Sequence, residues 1–190
     1  YEDAQTVLDT QAGEFLDELN QLMELSRILR RKRFSNGAIM FEQPEVKFEL
    51  DERGAPIRAY KKHRTETMLM IEDFMLLANR TVAESIGKVA STGKKPKTFV
   101  YRIHDHPDPD KLADFTNFIK KFGHDYEFTK RDKIANNMND LLSRVSGQRE
   151  ASVVSQLAIR TMAKAEYSTE NIGHFGLGFE YYSHFTSPIR

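Results

Sequence analysis

The chain has 190 residues, 39% of them hydrophobic, which is enough to bury the core of one domain. Its 28 basic and 28 acidic side chains leave no net charge, so the composition gives no hint of an acidic partner. Cysteine is absent, which excludes disulfides and thiolate metal sites and agrees with a reducing cytoplasm. Without an apolar run long enough for a bilayer, or a signal-peptide pattern, we expect a soluble, cytoplasmic protein with no membrane partner.

Local charge is less even than the total. Three runs are basic, "RILRRKR" (Arg27–Arg33), "RAYKKHR" (Arg58–Arg64) and "KKPK" (Lys94–Lys97), whereas the opening "YEDAQTVLDTQAGEFLDE" is acidic. Runs of this kind are ordinarily solvated faces, so by themselves they identify no partner.

The first predicted element is a long amphipathic helix from Thr6 to about Arg33. Apolar residues recur there at steps of three and four. The segment is acidic at its start and basic at its end, as the helix dipole favours. The sequence "SNG" (Ser35–Gly37) is predicted to end the helix.

Strands and a second long helix follow. The patterns predict two or three strands: "AIMF" (Ala38–Phe41) leads to "VKFEL" (Val46–Leu50), after which "DERG" turns the chain into "PIRAY" to complete a hairpin. A stripe of apolar residues then predicts a helix from about Thr65 to Ala90. The loop "STGKKPK" leads to "TFVYRIH", a short apolar strand that we expect to be buried.

The last part of the chain is predicted to be mainly helical. Asp108 before Pro109 is a helix-start signal, because aspartate caps the first amides and proline fits the first helical position. Three helices are predicted, at Asp110–Phe122, Asp132–Val145 and Ala151–Tyr167. A strand is then predicted at "GLGFEYY", and Ser187–Pro188 predicts the start of a further helix. We therefore expect one α+β domain, mostly helical, with a small antiparallel hairpin or sheet.

Two motifs could carry chemistry. The histidines of "HDH", His104 and His106, could bind a metal ion, but in an extended chain they point to opposite faces, and no second ligand cluster is near in sequence. The alternative is a hydrogen-bonded loop beside a strand end, and we predict no metal site. The "GHFGLG" motif lacks the lysine and the strand–glycine–helix context of a phosphate loop. Its glycines are more typical of a bend or of a close backbone approach.

The chain ends in "GHFGLGFEYYSHFTSPIR", and four earlier segments are "GAIMFEQPEVKFELDERGAP", "IEDFMLLANRTVAE", "YRIHDHPDP" and "MAKAEYSTENIGHFGLG". In this order they resemble the RNB catalytic domain of the ribonuclease II/ribonuclease R family, and they are closer to its ribonuclease R branch. The resemblance covers nearly the whole chain. It implies that residues 1–190 are the C-terminal portion of such a domain, truncated at both ends.

The resemblance implies a 3′→5′ exoribonuclease that hydrolyses RNA to nucleoside 5′-monophosphates. Its partner would be the 3′ end of single-stranded RNA and not DNA. By resemblance, two Mg²⁺ ions activate the attacking water, and the aspartates that hold them lie outside this sequence. This chain would supply the RNA channel and a catalytic arginine. We therefore expect it to be inactive and free of metal by itself.

The resemblance also implies site residues. Phe41 aligns with an aromatic that stacks on terminal bases of any type, the alternative being a core phenylalanine. Glu72 and Tyr1 align with residues that sense the 2′-hydroxyl of the terminal ribose, the alternative for Glu72 being complementation of a helix dipole. Arg190 occupies the position of the catalytic arginine, whose fork matches phosphate oxygens, the alternative being a surface arginine near a helix start. Asn79 could orient the pocket and is assigned no chemistry.

Two other functions stay open. One is a non-catalytic RNA-binding or protein-interaction module that keeps the scaffold but has lost the metal carboxylates. The other is a helical structural module with a chance match. An aspartate-rich run shortly before Tyr1 would favour the enzyme. The sequence favours no oligomeric state.

Overall fold

A computed structural model describes residues 1–41, 45–62, 64–88 and 97–187. The helices are α1 (Glu2–Thr10), α2 (Leu16–Ser35), α3 (Glu66–Gly87), α4 (Pro109–Lys120), α5 (Ile134–Val145) and α6 (Ala151–Thr161). The strands are β1 (Glu45–Leu50), β2 (Pro56–Lys62), β3 (Tyr101–Ile103) and β4 (Glu166–Ser168), and β1–β2 and β3–β4 form two antiparallel sheets. The predicted α+β class, mostly helical with small antiparallel sheets, is confirmed. Along the described residues, no helix is both long and apolar enough to cross a membrane.

The first part of the chain contains two helices where the sequence predicts one. Gln11 and Phe15 have φ angles of 52° and 61°, and Gly13 between them has a φ of 132°. Residues with positive φ interrupt the helical hydrogen bonds, so α1 and α2 are separate. The prediction of one helix from Thr6 to Arg33 was therefore wrong. The periodic pattern continues across a break that glycine permits.

The β1–β2 hairpin forms as predicted, and α2 ends at "SNG" as predicted. Asp51 holds the hairpin turn, because its Oδ1 accepts hydrogen bonds from the amides of Arg53 (2.9 Å) and Ala55 (2.8 Å). The short strand predicted in "TFVYRIH" is present as β3, in which Tyr101 is buried. Of the predicted loop "STGKKPK", all but Lys97 lies outside the described residues.

The segment "AIMF" forms no strand, so two of the two or three strands predicted in this part of the chain are present, β1 and β2. The Met40 amide donates a hydrogen bond to Asn139 Oδ1 (3.0 Å), and Asn139 Nδ2 donates to the carbonyl of Ala38 (2.8 Å). The Ile39 amide donates to the carbonyl of Gly176 (3.0 Å). Because a side chain and a distant loop satisfy these backbone groups, the segment needs no strand partner.

Helix α3 starts as predicted after Thr65, whose hydroxyl accepts a hydrogen bond from the Met68 amide (3.4 Å). The predicted end at Ala90 lies outside the described residues, and the described helix ends at Gly87. A Cβ on Gly87 would overlap the hydroxyl of Tyr101, so glycine is what lets β3 approach the end of α3.

Helices α2 and α3 are joined by buried ion pairs. The Asp73 carboxylate on α3 accepts hydrogen bonds from Ser26 Oγ (2.8 Å), Arg30 Nε (2.9 Å) and Arg33 Nη2 (3.3 Å) on α2. The Asp73 side chain is 3% exposed, so its charge depends on these partners. This contact fixes the register of the two helices.

Helices α4, α5 and α6 contribute most of the main core. Helix α4 has the predicted cap, because Asp108 Oδ1 accepts hydrogen bonds from the amides of Asp110 (2.9 Å) and Lys111 (3.3 Å). The prediction of a helix at Asp132–Val145 is confirmed as α5, which follows one 3₁₀ turn. The buried core residues are Ile39, Leu112, Phe115, Ile119, Phe128, Ile134, Ala135, Met138, Leu141, Val145, Val154 and Ala158. Because Ile39 belongs to this cluster, the core anchors the segment that leads to Phe41.

Helix α6 is shorter than predicted. It ends at Thr161, and Met162 is extended with a ψ of 144°. Tyr167, the predicted last residue, lies in β4 opposite Arg102 of β3, and the guanidinium lies 4.6 Å from the tyrosine ring centroid. Residues at the predicted end of the helix therefore pair with β3 as a strand.

The strand predicted at "GLGFEYY" is also absent. Phe175–Leu177 form a 3₁₀ turn, and Gly178 has a φ of 65°. A Cβ on Gly178 would lie 2.8 Å from the backbone nitrogen of Ala38. The prediction that these glycines allow a close backbone approach is thus confirmed. The helix predicted to start at Ser187–Pro188 lies outside the described residues from Pro188 onward.

Candidate functional site

A cleft of about 740 Å³ lies where the start of α4, the end of α6 and the turn at Phe175–Leu177 come together. Phe41 lines it, together with His104 and His174. Of the described residues that the resemblance assigns to the site, Phe41 is the only one that lines the cleft. The local fold explains this position, because Asn139 and the carbonyl of Gly176 hold the three residues before Phe41.

The Phe41 ring has both of the environments that its sequence suggested. It is half-buried and packs against the main core, and it also forms part of the cleft wall. An aromatic ring supported by a core on one side is fixed in orientation. Its other side can stack on a planar ligand.

The two histidines of the cleft wall are neutral at physiological pH. His104 Nδ1 accepts a hydrogen bond from the Gly176 amide (2.9 Å), so the proton lies on Nε2, which donates to the carbonyl of Ala163 (2.9 Å). Burial lowers the pKa of His104. Burial, and then the neighbouring His104 ring, lower the pKa of His174 to about 3.

These contacts bear on the metal question. With both ring nitrogens of His104 engaged, its geometry is that of the hydrogen-bonded loop considered for "HDH". Among the described residues, no group of three or more histidine, aspartate or glutamate side chains could hold a metal ion. The absence of a metal site in the whole chain stays a prediction.

Positive charge in the cleft comes from three exposed side chains that the sequence analysis did not identify. Lys111 lies at the start of α4, Arg160 near the end of α6, and Lys164 just after it. Within the described residues, none of the three forms an ion pair. The sequence carries no signal for this grouping, because the three belong to no charge run and meet only through the packing of α4 on α6. Such a surface suits an anionic ligand.

Glu72 lies away from the helix terminus that the dipole alternative requires. It is the seventh residue of α3, beyond the first turn in which the dipole acts. Its side chain is 15% exposed and forms an ion pair with Arg64, which precedes the helix. The observed partner of Glu72 is thus a guanidinium and not the helix dipole.

Tyr1 caps α1 and lies against the start of α3. Its carbonyl accepts hydrogen bonds from the Gln5 amide (2.9 Å) and from the Thr67 hydroxyl (3.4 Å). Tyr1 is half exposed. Tyr1 and Glu72 are therefore brought to the same end of α3, although their side chains share no hydrogen bond. Arg190 lies outside the described residues.

Asn79 is a buried polar residue whose partners the sequence analysis did not identify. It is fully buried and bonds Thr186, close to the end of the described chain. The available signal is its spacing, since Leu76, Asn79 and Ala83 share the buried face of α3. A polar residue on such a face must find partners.

Comparison with known proteins gives a consistent result. The family model described as "RNB domain" matches residues 1–190. Ribonuclease R 1 of Lactococcus lactis is 38% identical over 174 residues, which cover 92% of this chain and 21% of the relative. Ribonuclease R of Thermotoga maritima is 39% identical over 178 residues, which cover 93% of this chain and 24% of the relative. The chain thus spans about a fifth to a quarter of the length of these relatives.

Solved structures agree with the sequence comparison. Mycoplasma genitalium RNase R, in complex with ribose-methylated single-stranded RNA, matches with a TM-score of 0.83 and 25% identity, over 100% of this chain and 30% of that one. Yeast Ssd1, described as a pseudonuclease, matches with a TM-score of 0.65 and 21% identity, over 100% of this chain and 23% of that one. The second likeness concerns the fold alone.

Proposed function

This chain belongs to the RNB domain family, and we propose that it is the C-terminal portion of the catalytic domain of a ribonuclease R-like 3′→5′ exoribonuclease. The longer enzyme would hydrolyse RNA to nucleoside 5′-monophosphates in the cytoplasm. The observation that carries the proposal is the match of the RNB domain over residues 1–190. Ribonuclease R relatives of 38% and 39% identity support it.

The cleft beside Phe41 is proposed to bind bases and phosphates of single-stranded RNA. A base stacked on an aromatic ring contributes about 1–3 kcal/mol, and it does so for any base. Phe41 is suited to this role because the core fixes one side of its ring. The similar RNase R of Mycoplasma genitalium forms a complex with ribose-methylated single-stranded RNA, which supports the proposal.

Lys111, Arg160 and Lys164 are proposed to contact the phosphates of the bound strand. Cations that neutralise phosphates release counterions, and this release supplies much of the affinity for nucleic acid. The neutral imidazoles of His104 and His174 add no charge, so they shape the cleft without competing for phosphates.

Glu72 and Tyr1 are proposed to face the terminal ribose. The 2′-hydroxyl both donates and accepts hydrogen bonds, so a carboxylate and a phenol are suitable partners for it. The ion pair with Arg64 holds the Glu72 carboxylate in the N-terminal part of α3, and Tyr1 contacts the first turn of the same helix. This pair would distinguish RNA from DNA ends.

Arg190 is proposed to stabilise the charge that develops on the phosphoryl group in the transition state. Its guanidinium is permanently charged and matches two phosphate oxygens. The described residues do not provide a metal site. By resemblance to the family, the Mg²⁺ ions, which would supply an activated water, are proposed to be held by aspartates outside this chain.

The proposal is tested on the longer enzyme with uniformly labelled single-stranded RNA and Mg²⁺. We expect stepwise release of nucleoside 5′-monophosphates from the 3′ end. Arg190→Ala should lower the single-turnover rate by on the order of 10²–10³ while RNA affinity stays within a few-fold. Arg190→Lys should restore only part of the rate, because lysine lacks the fork. Internal cleavage products, or a near-normal rate in Arg190→Ala, would contradict the proposed chemistry.

A second candidate is a non-catalytic RNA-binding or interaction module on the same scaffold. The same fold is found in a protein described as a pseudonuclease, so the fold alone does not distinguish the two candidates. The two candidates differ in the residues that precede this chain, since only the enzyme needs metal-binding aspartates there. If the longer protein binds RNA but releases no mononucleotides when metal is added, the non-catalytic module is the correct alternative.

A further inference from the structure

A buried asparagine ties α3 to the segment that precedes Arg190. Asn79 Nδ2 donates hydrogen bonds to the carbonyl of Thr186 (2.8 Å) and to the hydroxyl of Tyr182 (3.3 Å). Asn79 Oδ1 accepts from the amide and from the hydroxyl of Thr186, both at 3.0 Å. The side chain therefore uses both of its donors and both acceptor positions of its oxygen.

The network continues to the next polar residue of the same segment. The Tyr182 hydroxyl accepts from Asn79, so its own proton is free to be donated to His184 Nδ1 (3.0 Å). Burial raises the pKa of Tyr182, which keeps this proton in place. Three residues of the segment are thus bound to one asparagine, Thr186 and Tyr182 directly and His184 through Tyr182.

The hydrogen bonds of Asn79 reach the backbone of Thr186 and not only its side chain. Asn79 bonds both the N–H and the C=O of Thr186, so it fixes the position and the rotation of that residue's backbone together. Arg190 follows Thr186 by four residues, and four residues span at most roughly 14 Å. Fixing Thr186 therefore fixes the point from which the last four residues of this sequence extend.

We propose that Asn79 is a positioning residue: it holds Thr186 against α3 and thereby places Arg190 for the reaction. This inference rests on the catalytic role proposed above for Arg190. An apolar residue would also fill the space in α3, but it would leave the backbone groups of Thr186 without these partners.

The inference predicts a defect in rate and not in binding. A displacement of about 1 Å in a catalytic group can lower a rate on the order of 10²-fold. In the longer enzyme, Asn79→Ala should therefore lower the single-turnover rate by roughly 10- to 100-fold, while the RNA dissociation constant stays within about three-fold. Asn79→Asp keeps the acceptor oxygen for Thr186 but puts a second acceptor against the Thr186 carbonyl, so it should not restore the rate.

Two further variants separate positioning from a general loss of stability. Thr186→Val removes one hydrogen bond of a half-buried side chain, and it should lower the rate in the same direction, but less, without preventing folding. Asn137→Ala is the matched control, because Asn137 also donates to a backbone carbonyl, that of Glu127 (2.7 Å), but holds a loop against α5. Its rate should be normal.

The deciding measurement is a double-mutant cycle with Arg190→Ala. If Asn79 acts through Arg190, Asn79→Ala should have almost no further effect on the rate in that background. If Asn79→Ala lowers the rate equally in both backgrounds, its role is merely structural and the inference is wrong. The inference is also wrong if folded Asn79→Ala has a normal rate, or if Thr186→Val has the same rate as Asn137→Ala. A normal rate in Arg190→Ala alone would instead overturn the proposed role of the arginine.

Discussion

Removing the Asp73 carboxylate should destabilise the contact between α2 and α3 strongly. Asp73→Ala would leave Arg30 and Arg33 buried without their shared partner, and Ser26 would lose its acceptor. Breaking a buried ion pair by removing one partner costs about 3–5 kcal/mol. Arg30 would keep Glu66, whose carboxylate lies 3.3 Å away, so we expect a loss near the lower end, about 3 kcal/mol.

The assay is hydrogen exchange of the α2 and α3 amides in the longer enzyme, which reports the free energy of local opening. The matched control is Glu84→Ala on the same helix, because Glu84 pairs with Arg80 (2.8 Å) and Lys88 (3.5 Å) near the surface. Such pairs contribute about 0.3–0.5 kcal/mol each. If Asp73→Ala lowered the opening free energy no more than the control, the buried pairs would not stabilise the helix contact as argued.

Three further predictions concern the cleft and the proposed ribose contact of Glu72 in the longer enzyme. Phe41→Ala should weaken binding of a short RNA by about 1–3 kcal/mol, measured beside Phe48→Ala on the exposed hairpin, which should bind normally. Glu72→Ala should narrow the difference in cleavage rate between RNA and DNA ends, and unchanged discrimination would remove Glu72 from the ribose site. The His174 pKa of about 3 lies below the ordinary 6.5, so the unfolded chain takes up its proton first as pH falls. The free energy of unfolding should therefore fall between pH 6.5 and 3, by about 2 kcal/mol from pH 7.5 to 5 in denaturation experiments. If its dependence on pH were the same as that of His174→Gln, the prediction would be wrong.

Local signals in the sequence predicted those elements whose cause is local. Asp108 beside Pro109 caps α4, and the turn at Asp51 closes the β1–β2 hairpin, because in each case a side chain bonds amides within four residues. The break at Gly13 was missed, since apolar periodicity continues through it. Tyr167 was misplaced because β3 supplies its strand partner from a distant part of the sequence.

The site was predictable only in part, for the same physical reason. Resemblance indicated Phe41, and the structure puts it on a cleft wall. The residues that hold the site in place have partners far along the chain. Asn139 bonds Ala38 and Met40, and Asn79 bonds Thr186, so no window of neighbouring residues contains both halves of either contact.

The Asn139 contact has a consequence for the order in which the protein is made. Asn139 and the backbone groups that it holds are separated by 99 and 101 residues. A ribosome adds roughly 5–20 residues per second, so the segment before Phe41 emerges about 5–20 seconds before the asparagine that secures it. Contacts this distant also form slowly once the chain is complete, because a long loop must close first. The segment that leads to Phe41 is therefore secured only after α4 has been translated and while α5 is being made.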